Sequence, residues 1–220
     1  MSSLPGDPVW PHVLFDLDGT LANTIPMILA SYRWTIESHG LAPADDATIR
    51  SWIGRTLIDM FTELAGPERA PALVESYRGW QHEHFDELLQ PYPGVLEVVH
   101  DLAEAGVGMA VVTSRYRPSA ERALRALGFD DHLHVQVGME DTEVHKPRPE
   151  PLLLAARALT FDPGRTVYVG DATVDLVAAE AAGMAGVGVT WGAGLPAELA
   201  ALPHAALADD AAGLRSVLLR

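Results

Sequence analysis

Short apolar runs recur along the chain and alternate with stretches whose apolar residues have helical spacing. The runs occupy residues 13–15, 107–113, 134–138, 166–170 and 186–191. The helical patterns between them, several of which stop at a glycine, occupy residues 95–103, 120–127, 150–159 and 174–182. Alternation of short buried strands with helices is typical of parallel βαβ units. The pattern therefore predicts an α/β fold with a doubly wound parallel sheet.

The alternation is interrupted between residues 22 and 90. Helical patterns without a convincing strand among them lie there, at residues 25–38, 47–52, 57–65 and 70–89. The simplest account is an all-helical cap of residues 22–90, inserted into an α/β core formed by residues 1–21 and 91–220. Segments 21–24 and 91–94 then become the predicted hinges between core and cap.

Composition limits the functions that are open to this chain. Its 220 residues, 48% of them hydrophobic, suffice for a core domain with a smaller insertion. There is no cysteine, which excludes disulfides, thiolate zinc sites and a cysteine nucleophile. Thirty acidic residues against 15 basic ones give a formal charge of −15, which disfavours binding to nucleic acid or to an anionic membrane surface.

The hydropathy of the chain gives no sign of export or membrane insertion. Residues 1–16 lack the basic stretch and apolar core of a secretory signal. The longest uncharged run, residues 181–197, is interrupted by glycines and a proline and is too short to span a bilayer. We expect a cytoplasmic protein, either a monomer or a dimer.

Polar side chains follow several of the predicted strands. In an open parallel sheet, ligands bind at the carboxyl ends of the strands. The side chains expected there belong to Asp16, Asp18, Thr20, Thr113, Ser114, Lys146, Asp171 and Asp175. Crowded carboxylates need a cation or raised pKa values, and a set of oxygen ligands suits Mg²⁺. The sequence therefore predicts a Mg²⁺ site, with hydroxyl and ammonium donors for an anion beside it.

The spacing of Asp16 and Asp18 suggests a division of labour. Residues i and i+2 of an extended segment point the same way, so both carboxylates can face one substrate. One can attack as a nucleophile while the other transfers protons. Lys146, the sole lysine among 15 basic residues, would supply a compact positive charge.

Four motifs in order resemble those of the haloacid dehalogenase-like (HAD) superfamily. They are Asp16-Leu17-Asp18-Gly19-Thr20, Val112-Thr113-Ser114, Lys146-Pro147-Arg148-Pro149 and Gly170-Asp171-Ala172-Thr173-Val174-Asp175. The resemblance implies that Asp16 is the nucleophile, which forms an aspartyl-phosphate, and that Asp18 is the general acid and then the general base. It also implies that Thr113 and Lys146 hold the phosphoryl group, with Ser114 as a further donor.

The same resemblance implies the metal ligands. Mg²⁺ would be bound by Asp16, by the backbone carbonyl of Asp18 and by Asp171. Asp175 would be either a further ligand or a partner of the ligands.

Details of the sequence narrow the subfamily that the chain resembles. Asp18 argues for phosphoryl transfer rather than dehalogenation, and residues 22–90 contain no lysine for the Schiff base of phosphonate-cleaving relatives. Mutases similar to β-phosphoglucomutase carry a cap histidine twelve residues after the nucleophile, where this chain has Ile28. The insertion and Ile53-Gly54-Arg55-Thr56-Leu57 resemble the phosphoglycolate phosphatase and pyrophosphatase group, although Asn23-Thr24 departs from its usual Asp-Ser or Asp-Thr.

These features predict a Mg²⁺-dependent phosphatase that acts on a small phosphorylated metabolite. A phosphoglycolate-like monoester is favoured as substrate, with inorganic pyrophosphate and β-phosphoglucomutase-like phosphoryl transfer as alternatives. Arg55, in a glycine-flanked loop of the cap, and Arg115, next to the second motif, could meet a carboxylate or a second phosphate of the substrate. Each could equally be an ordinary surface arginine.

A different class of function is also open. Gly192-Ala193-Gly194-Leu195-Pro196-Ala197 formally matches a dinucleotide-binding fingerprint. Too little chain follows it for a dinucleotide-binding half, so a linker turn is the preferred interpretation. A nucleotide-binding module and a catalytically silent interaction protein are the alternatives to an enzyme.

Overall fold

The computed structural model describes residues 6–220, so residues 1–5 of the segment considered as a signal lie outside the described residues. The strands are β1 (His12–Phe15), β2 (Ala22–Asn23), β3 (Gln90–Pro91), β4 (Gly108–Val112), β5 (Val135–Val137), β6 (Thr166–Gly170), β7 (Ala185–Val189) and β8 (Ala206–Ala208). Within the described range, six of them form one parallel sheet in the order β5-β4-β1-β6-β7-β8. The predicted parallel α/β sheet is confirmed.

Helices cover both faces of this sheet and build the segment between β2 and β3. They are α1 (Ile25–Ser38), α2 (Asp46–Arg50), α3 (Leu57–Ala65), α4 (Ala70–Glu83), α5 (Phe85–Leu88), α6 (Val95–Glu104), α7 (Arg117–Ala126), α8 (Glu150–Leu159), α9 (Thr173–Ala181), α10 (Pro196–Ala200) and α11 (Ala211–Leu218). Among residues 6–220, no helix combines the length and the hydropathy needed to cross a bilayer.

The central strand β1 is apolar from Val13 to Phe15 because these residues are buried between two neighbouring strands and two layers of helices. It pairs with β4 on one side and with β6 on the other. Val13 and Phe15 pack on the face covered by α6, α7 and α11, whereas Leu14 packs on the face covered by α8 and α9. Because both faces are buried at residues 13–15, each of these positions favours an apolar side chain.

The helices α1 to α4 have a hydrophobic cluster of their own. Tyr32 of α1 lies at its centre, with its ring centroid 4.9 Å from that of Tyr77 and 5.4 Å from that of Phe61. This third cluster, separate from the two that cover the faces of the sheet, favours the predicted division into a core (1–21 and 91–220) and a cap (22–90), whose boundaries stay a prediction. We refer to residues 22–90 as the cap below.

Two details of the cap differ from the sequence prediction. Strands are present at both ends of the segment, where Ala22 pairs with Pro91 and Asn23 with Gln90. The expectation of no strand there is wrong, because a two-residue strand is too short to show any periodicity. The single helix predicted over residues 70–89 is also wrong, since α4 and α5 are interrupted at His84.

Candidate active site

A sharp turn after β1 places the first motif at the carboxyl edge of the sheet. The N–H of Asp16 still donates to a carbonyl of β6 at 2.9 Å. The Leu17 carbonyl then accepts hydrogen bonds from the N–H groups of residues 20–22, which reverses the chain. Gly19 has φ +78°, and a Cβ there would lie 2.2 Å from Oδ2 of Asp171. Glycine is therefore required for this turn.

Asp16 is almost completely buried, with 2% of its surface exposed. Burial raises the pKa of Asp16 to about 7; Lys146 opposes this shift, while Asp175 and Asp18 add to it. Nζ of Lys146 lies 3.1 Å from Oδ1 of Asp16. Even so, within the described part of the chain Oδ1 has no hydrogen-bond partner. A buried carboxylate oxygen without a hydrogen bond is available to an incoming ligand.

Lys146 is held beneath Asp16 by groups from two other elements. Its Nζ donates to Oδ1 of Asp175 at 2.6 Å and to the hydroxyl of Tyr168 at 2.9 Å. Burial opposes the charged form, but Asp16 and Asp175 raise the pKa of Lys146 well above its ordinary value. The predicted positive charge is therefore fixed beside the predicted nucleophile.

Sequence reasoning missed Tyr168. Its hydroxyl donates to the carbonyl of Val112 at 2.8 Å and accepts from Lys146. A tyrosine in the otherwise apolar run of β6 was the available signal, because a buried hydroxyl needs a polar partner.

Asp171 lies in a cradle formed by two loops. Its Oδ1 accepts from the hydroxyl of Thr20 at 3.0 Å, and its Oδ2 accepts from the N–H of Ala193 at 2.7 Å. A Cβ at Gly192 or Gly194 would lie 2.2–2.3 Å from Asp171 atoms. Residues 192–194 form a bend that leads into α10, which agrees with a linker, and this bend also fixes a carboxylate of the site. Burial raises the pKa of Asp171 well above its ordinary value, and the nearby carboxylates add to this effect.

The carboxylates of Asp16, Asp171 and Asp175 fit a divalent cation. One oxygen from each lies within 4.8 Å of the others, and all three residues are buried. Among residues 6–220, Oδ1 of Asp16 has no hydrogen-bond partner, and Lys146 forms ion pairs with Asp16 and Asp175 but not with Asp171. Oxygen ligands with excess negative charge suit Mg²⁺.

The other predicted site residues lie next to this cluster. Oδ1 of Asp18 accepts from Arg115 at 2.6 Å. The Thr113 hydroxyl accepts from the N–H of Arg115 at 3.1 Å, and the Thr113 side chain lines the cavity described below. The Ser114 hydroxyl donates to the carbonyl of Gly54 at 2.8 Å and so contacts the cap. The roles of Thr113 and Ser114 as phosphate donors stay predictions.

A cavity of about 960 Å³ separates the core from the cap at this point. Asp16, Asp18 and Thr113 line it from the core, and apolar residues such as Ile28 and Trp52 line it from the cap. Arg55 also lines it, with its guanidinium paired to both carboxylate oxygens of Glu63. Asp16 and Asp18 are thus both accessible from one chamber.

Sequence comparison shows the family to which this arrangement belongs. Residues 13–189 match the sequence profile of the haloacid dehalogenase-like hydrolases. The chain belongs to this family. The predicted HAD-type hydrolase and its Rossmann-like core are thereby confirmed, which leaves the nucleotide-binding module without support.

Individual HAD relatives are similar over most of their length. Pyrophosphatase PpaX from Halalkalibacterium halodurans is 40% identical over 172 residues, which are 78% of this chain and 80% of that protein. PpaX from Bacillus pumilus is 35% identical, over 81% of this chain and 82% of that protein.

Solved structures agree with this assignment. A structure described as a haloacid dehalogenase-like hydrolase from Bacteroides fragilis has a TM-score of 0.87 and 31% identity, over 93% of this chain and 99% of that one. A predicted phosphoglycolate phosphatase from Haemophilus somnus has a TM-score of 0.83 and 25% identity, over 94% and 97%. The comparisons support the phosphatase class within the family.

Proposed function

We propose that this protein is a Mg²⁺-dependent phosphatase that hydrolyses a small phosphorylated metabolite through an aspartyl-phosphate on Asp16. The observation that carries the proposal is that the carboxylate of Asp16 is accessible from the cavity and has an oxygen without a hydrogen bond to any of residues 6–220. That oxygen lies 3.1 Å from Nζ of Lys146. Such an oxygen is available to attack a phosphorus atom.

The two carboxylates of the first motif divide the reaction between them. An oxygen of Asp16 forms the bond to phosphorus while the bond to the leaving oxygen breaks, and Asp18 donates a proton to that oxygen. Asp18 then accepts a proton from the water that attacks the aspartyl-phosphate, which releases inorganic phosphate and regenerates Asp16. Lys146 and Thr113 hold the phosphoryl oxygens, and Lys146 stabilises the negative charge that develops there.

The metal would be held by Asp16, by the backbone carbonyl of Asp18 and by Asp171, with Asp175 as a further ligand or as a partner of the ligands. When bound, Mg²⁺ would neutralise charge on the carboxylates and on the phosphoryl oxygens. Thr20 and Ala193 keep Asp171 oriented, because each donates to one of its oxygens.

Mg²⁺ should stabilise the folded protein more at about pH 8 than at about pH 5. Because the pKa of Asp16 is raised to about 7 from an unfolded value of about 4, the metal-free folded state binds more protons than the unfolded state between these values. Its stability therefore falls as the pH rises through that window. Mg²⁺ requires deprotonated ligands, so it should reverse the loss at the higher pH.

Thermal unfolding with excess MgCl₂ or with EDTA measures this effect. We expect a rise in Tm of several degrees at the higher pH and little change at the lower one. Asp171→Asn should reduce the rise, and the exposed Asp131→Asn should not. Equal shifts at both pH values would contradict the assignment of the site.

Two candidate substrates have support of different kinds. The sequence motifs predict a phosphoglycolate-like monoester, and the relatives favour inorganic pyrophosphate as a second candidate. Two PpaX pyrophosphatases match about four-fifths of the chain. Both compounds carry a second anionic group beside the transferred phosphoryl group. Mutase-like transfer has less support, because Ile28 presents an apolar side chain to the cavity.

The cytoplasmic location and the oligomeric state, monomer or dimer, stay predictions.

A panel of phosphate monoesters together with pyrophosphate tests the proposed function. Release of inorganic phosphate should require Mg²⁺, stop in EDTA and return when Mg²⁺ is restored. The substrate with the highest kcat/KM then distinguishes a phosphoglycolate-like monoester from pyrophosphate. Complete inactivity of folded, Mg²⁺-supplied protein towards the whole panel would refute the proposal.

Arg55→Ala should raise KM for the best substrate about tenfold and change kcat little, because its guanidinium contributes charge-assisted binding but not chemistry. Steady-state kinetics with that substrate measure both constants. Arg33→Ala is the control, since Arg33 lies in the cap but pairs with Asp46 and does not line the cavity. Unchanged KM in Arg55→Ala would remove Arg55 from the site.

A further inference from the structure

The guanidinium of Arg115 joins a reacting residue to the cap. Its NH1 donates to Oδ1 of Asp18 at 2.6 Å, its NH2 to Oε1 of Gln81 at 2.6 Å, and its Nε to the hydroxyl of Ser119 at 2.9 Å. The side chain is 7% exposed, and that of Asp18 is 14% exposed. All four residues line the cavity.

We propose that Arg115 holds the Asp18 carboxylate in a resting position, and that a second anionic group of the substrate displaces it from Arg115. The released carboxylate then takes up a proton from solvent and can donate it to the leaving oxygen. The inference rests on the proposed function and deepens it. Because the displacement needs an anion, we expect efficient turnover only for phosphoryl compounds that carry a further negative charge near the phosphoryl group.

The ion pair of Arg115 and Asp18 is buried, and this burial is the reason why Asp18 leaves Arg115 only when another anion replaces it. Asp18 is the charged partner of Arg115, whereas Gln81 and Ser119 are neutral. If Asp18 turned away towards the leaving group, a buried guanidinium would remain without a counter-charge, which is costly. An anion supplied by the substrate removes that cost, because it occupies the same N–H donors. A substrate with a neutral leaving group offers no such replacement.

The other arginines that line the cavity are arranged differently. Arg55 pairs with Glu63, and Arg122 pairs with Asp86 at 3.0 Å; neither acid belongs to the four motifs. Arg78 lies over the ring of Tyr116 at 4.8 Å. Among the described arginines of the cavity wall, Arg115 is therefore the one whose binding to a ligand would directly change the position of a reacting group.

Gln81 makes this arrangement depend on the cap. It belongs to α4, and its Nε2 donates to the hydroxyl of Tyr77 at 3.2 Å, which fixes the orientation of its amide. Its Oε1 then holds the second amino group of the Arg115 guanidinium. With the cap in this position, the guanidinium presents NH1 to Asp18.

Binding of glycolate, a carboxylate without a phosphoryl group, tests the competition without turnover. Isothermal titration calorimetry at constant ionic strength gives its Kd. Asp18→Asn should bind glycolate about tenfold more tightly than the wild type, because it removes the competing charge. Arg115→Met should abolish the binding. Arg122→Met is the matched control, since it removes a cavity arginine that does not contact Asp18, and its Kd should stay within about twofold of the wild type.

Two results would show that Asp18 does not compete with an anion for Arg115: unchanged or absent binding of glycolate to Asp18→Asn, or binding to Arg115→Met as tight as to the wild type.

Steady-state kinetics provide the second test, in which phosphoglycolate is compared with methyl phosphate. Arg115→Met should lower kcat/KM for phosphoglycolate about tenfold or more, yet raise kcat for methyl phosphate, because Asp18 is released. Parallel losses for both substrates would show that Arg115 is needed for the chemistry itself and would overturn the inference.

The two tests separate the inference from the proposed function. If the wild-type protein releases phosphate from neither of these substrates nor from the rest of the panel, pyrophosphate included, the proposed function fails, while the glycolate titrations still decide whether Asp18 competes for Arg115. If phosphoglycolate is hydrolysed and the substrate preference is the same in Arg115→Met, the inference alone fails.

Discussion

Replacement of Asp16 by asparagine is expected to lower phosphate release by about 10⁴-fold or more, because an amide cannot serve as the attacking nucleophile. The same change should not destabilise the metal-free protein at about pH 8. Burial makes the charged form of Asp16 unfavourable, which is why its pKa is raised to about 7. A neutral amide of the same shape avoids that cost.

The two effects are measured on one preparation of Asp16→Asn. Phosphate release with Mg²⁺ gives kcat, and thermal unfolding in EDTA gives a Tm that should equal or exceed the wild-type value. Lys146 retains its partner Asp175 at 2.6 Å, so the substitution does not leave the ammonium group unpaired. Asp131→Asn, in an exposed turn, should change neither quantity. Substantial turnover by Asp16→Asn would refute the aspartyl-phosphate mechanism.

Lys146→Arg is expected to lower kcat by about 10²–10³-fold, even though the charge is kept. Nζ lies 2.6 Å from Asp175, 2.9 Å from the Tyr168 hydroxyl and 3.1 Å from Asp16, in a side chain that is 1% exposed. A planar guanidinium does not fit these three contacts at once. The sequence alone predicts that Lys146→Arg lowers activity far more than it lowers stability. The buried position adds a packing cost of about 1–3 kcal/mol to the free energy of unfolding.

Steady-state kinetics below the Tm of the variant separate the two losses, and urea unfolding measures the second. Arg148→Lys is the matched control, because it makes the reverse exchange two residues further on, at a side chain that is 67% exposed. We expect its kcat and its stability to remain near those of the wild type. Near-normal kcat in Lys146→Arg would show that any cation suffices at this position.

These two predictions share one physical basis, which is the burial of charge. Asp16, Asp171 and Asp175 are buried together with a single ammonium group. Burial raises the pKa values of Asp16 and Asp171, and the two acids Asp16 and Asp175 raise that of Lys146. The site therefore has excess negative charge when its carboxylates are ionised, which favours the binding of a cation.

Much of the fold could be predicted from the sequence, because the corresponding signals are local. The bounds predicted for α1, α3 and α8 match the structure, since each helix has a regular apolar pattern and either a proline near its start or a polar residue directly before it. The strand β6 matches as well, because buried parallel strands are continuously apolar.

Elements without a local signal were not predicted. The strand β8 is a run of three apolar residues, Ala-Leu-Ala, in an alanine-rich segment, and it is defined by its pairing with β7. The pairing of Ala22 with Pro91 likewise joins residues that are far apart in the sequence. Such pairings depend on the position of the partner strand, and the sequence of the strand itself does not reveal that position.

For the site, the sequence by itself determined the chemistry. The order and spacing of the four motifs identified the family, and the family profile over residues 13–189 confirms it. Motif residues such as Asp16, Asp171 and Lys146 could be named because parallel strands bring their carboxyl ends to one edge of the sheet. The absence of cysteine excludes thiolate sites, and the excess of acidic residues disfavours polyanionic partners, on composition alone.

Only the tertiary structure decided how these groups are charged, oriented and connected. Tyr168 beneath Lys146, the glycines around Asp171, and the contact of Arg115 with both Asp18 and Gln81 join residues that are distant in the chain. Burial, which alters the pKa values and makes an unpaired charge costly, is likewise a property of the packed molecule. The sequence therefore specifies which groups can react, and the packing determines which of them are available.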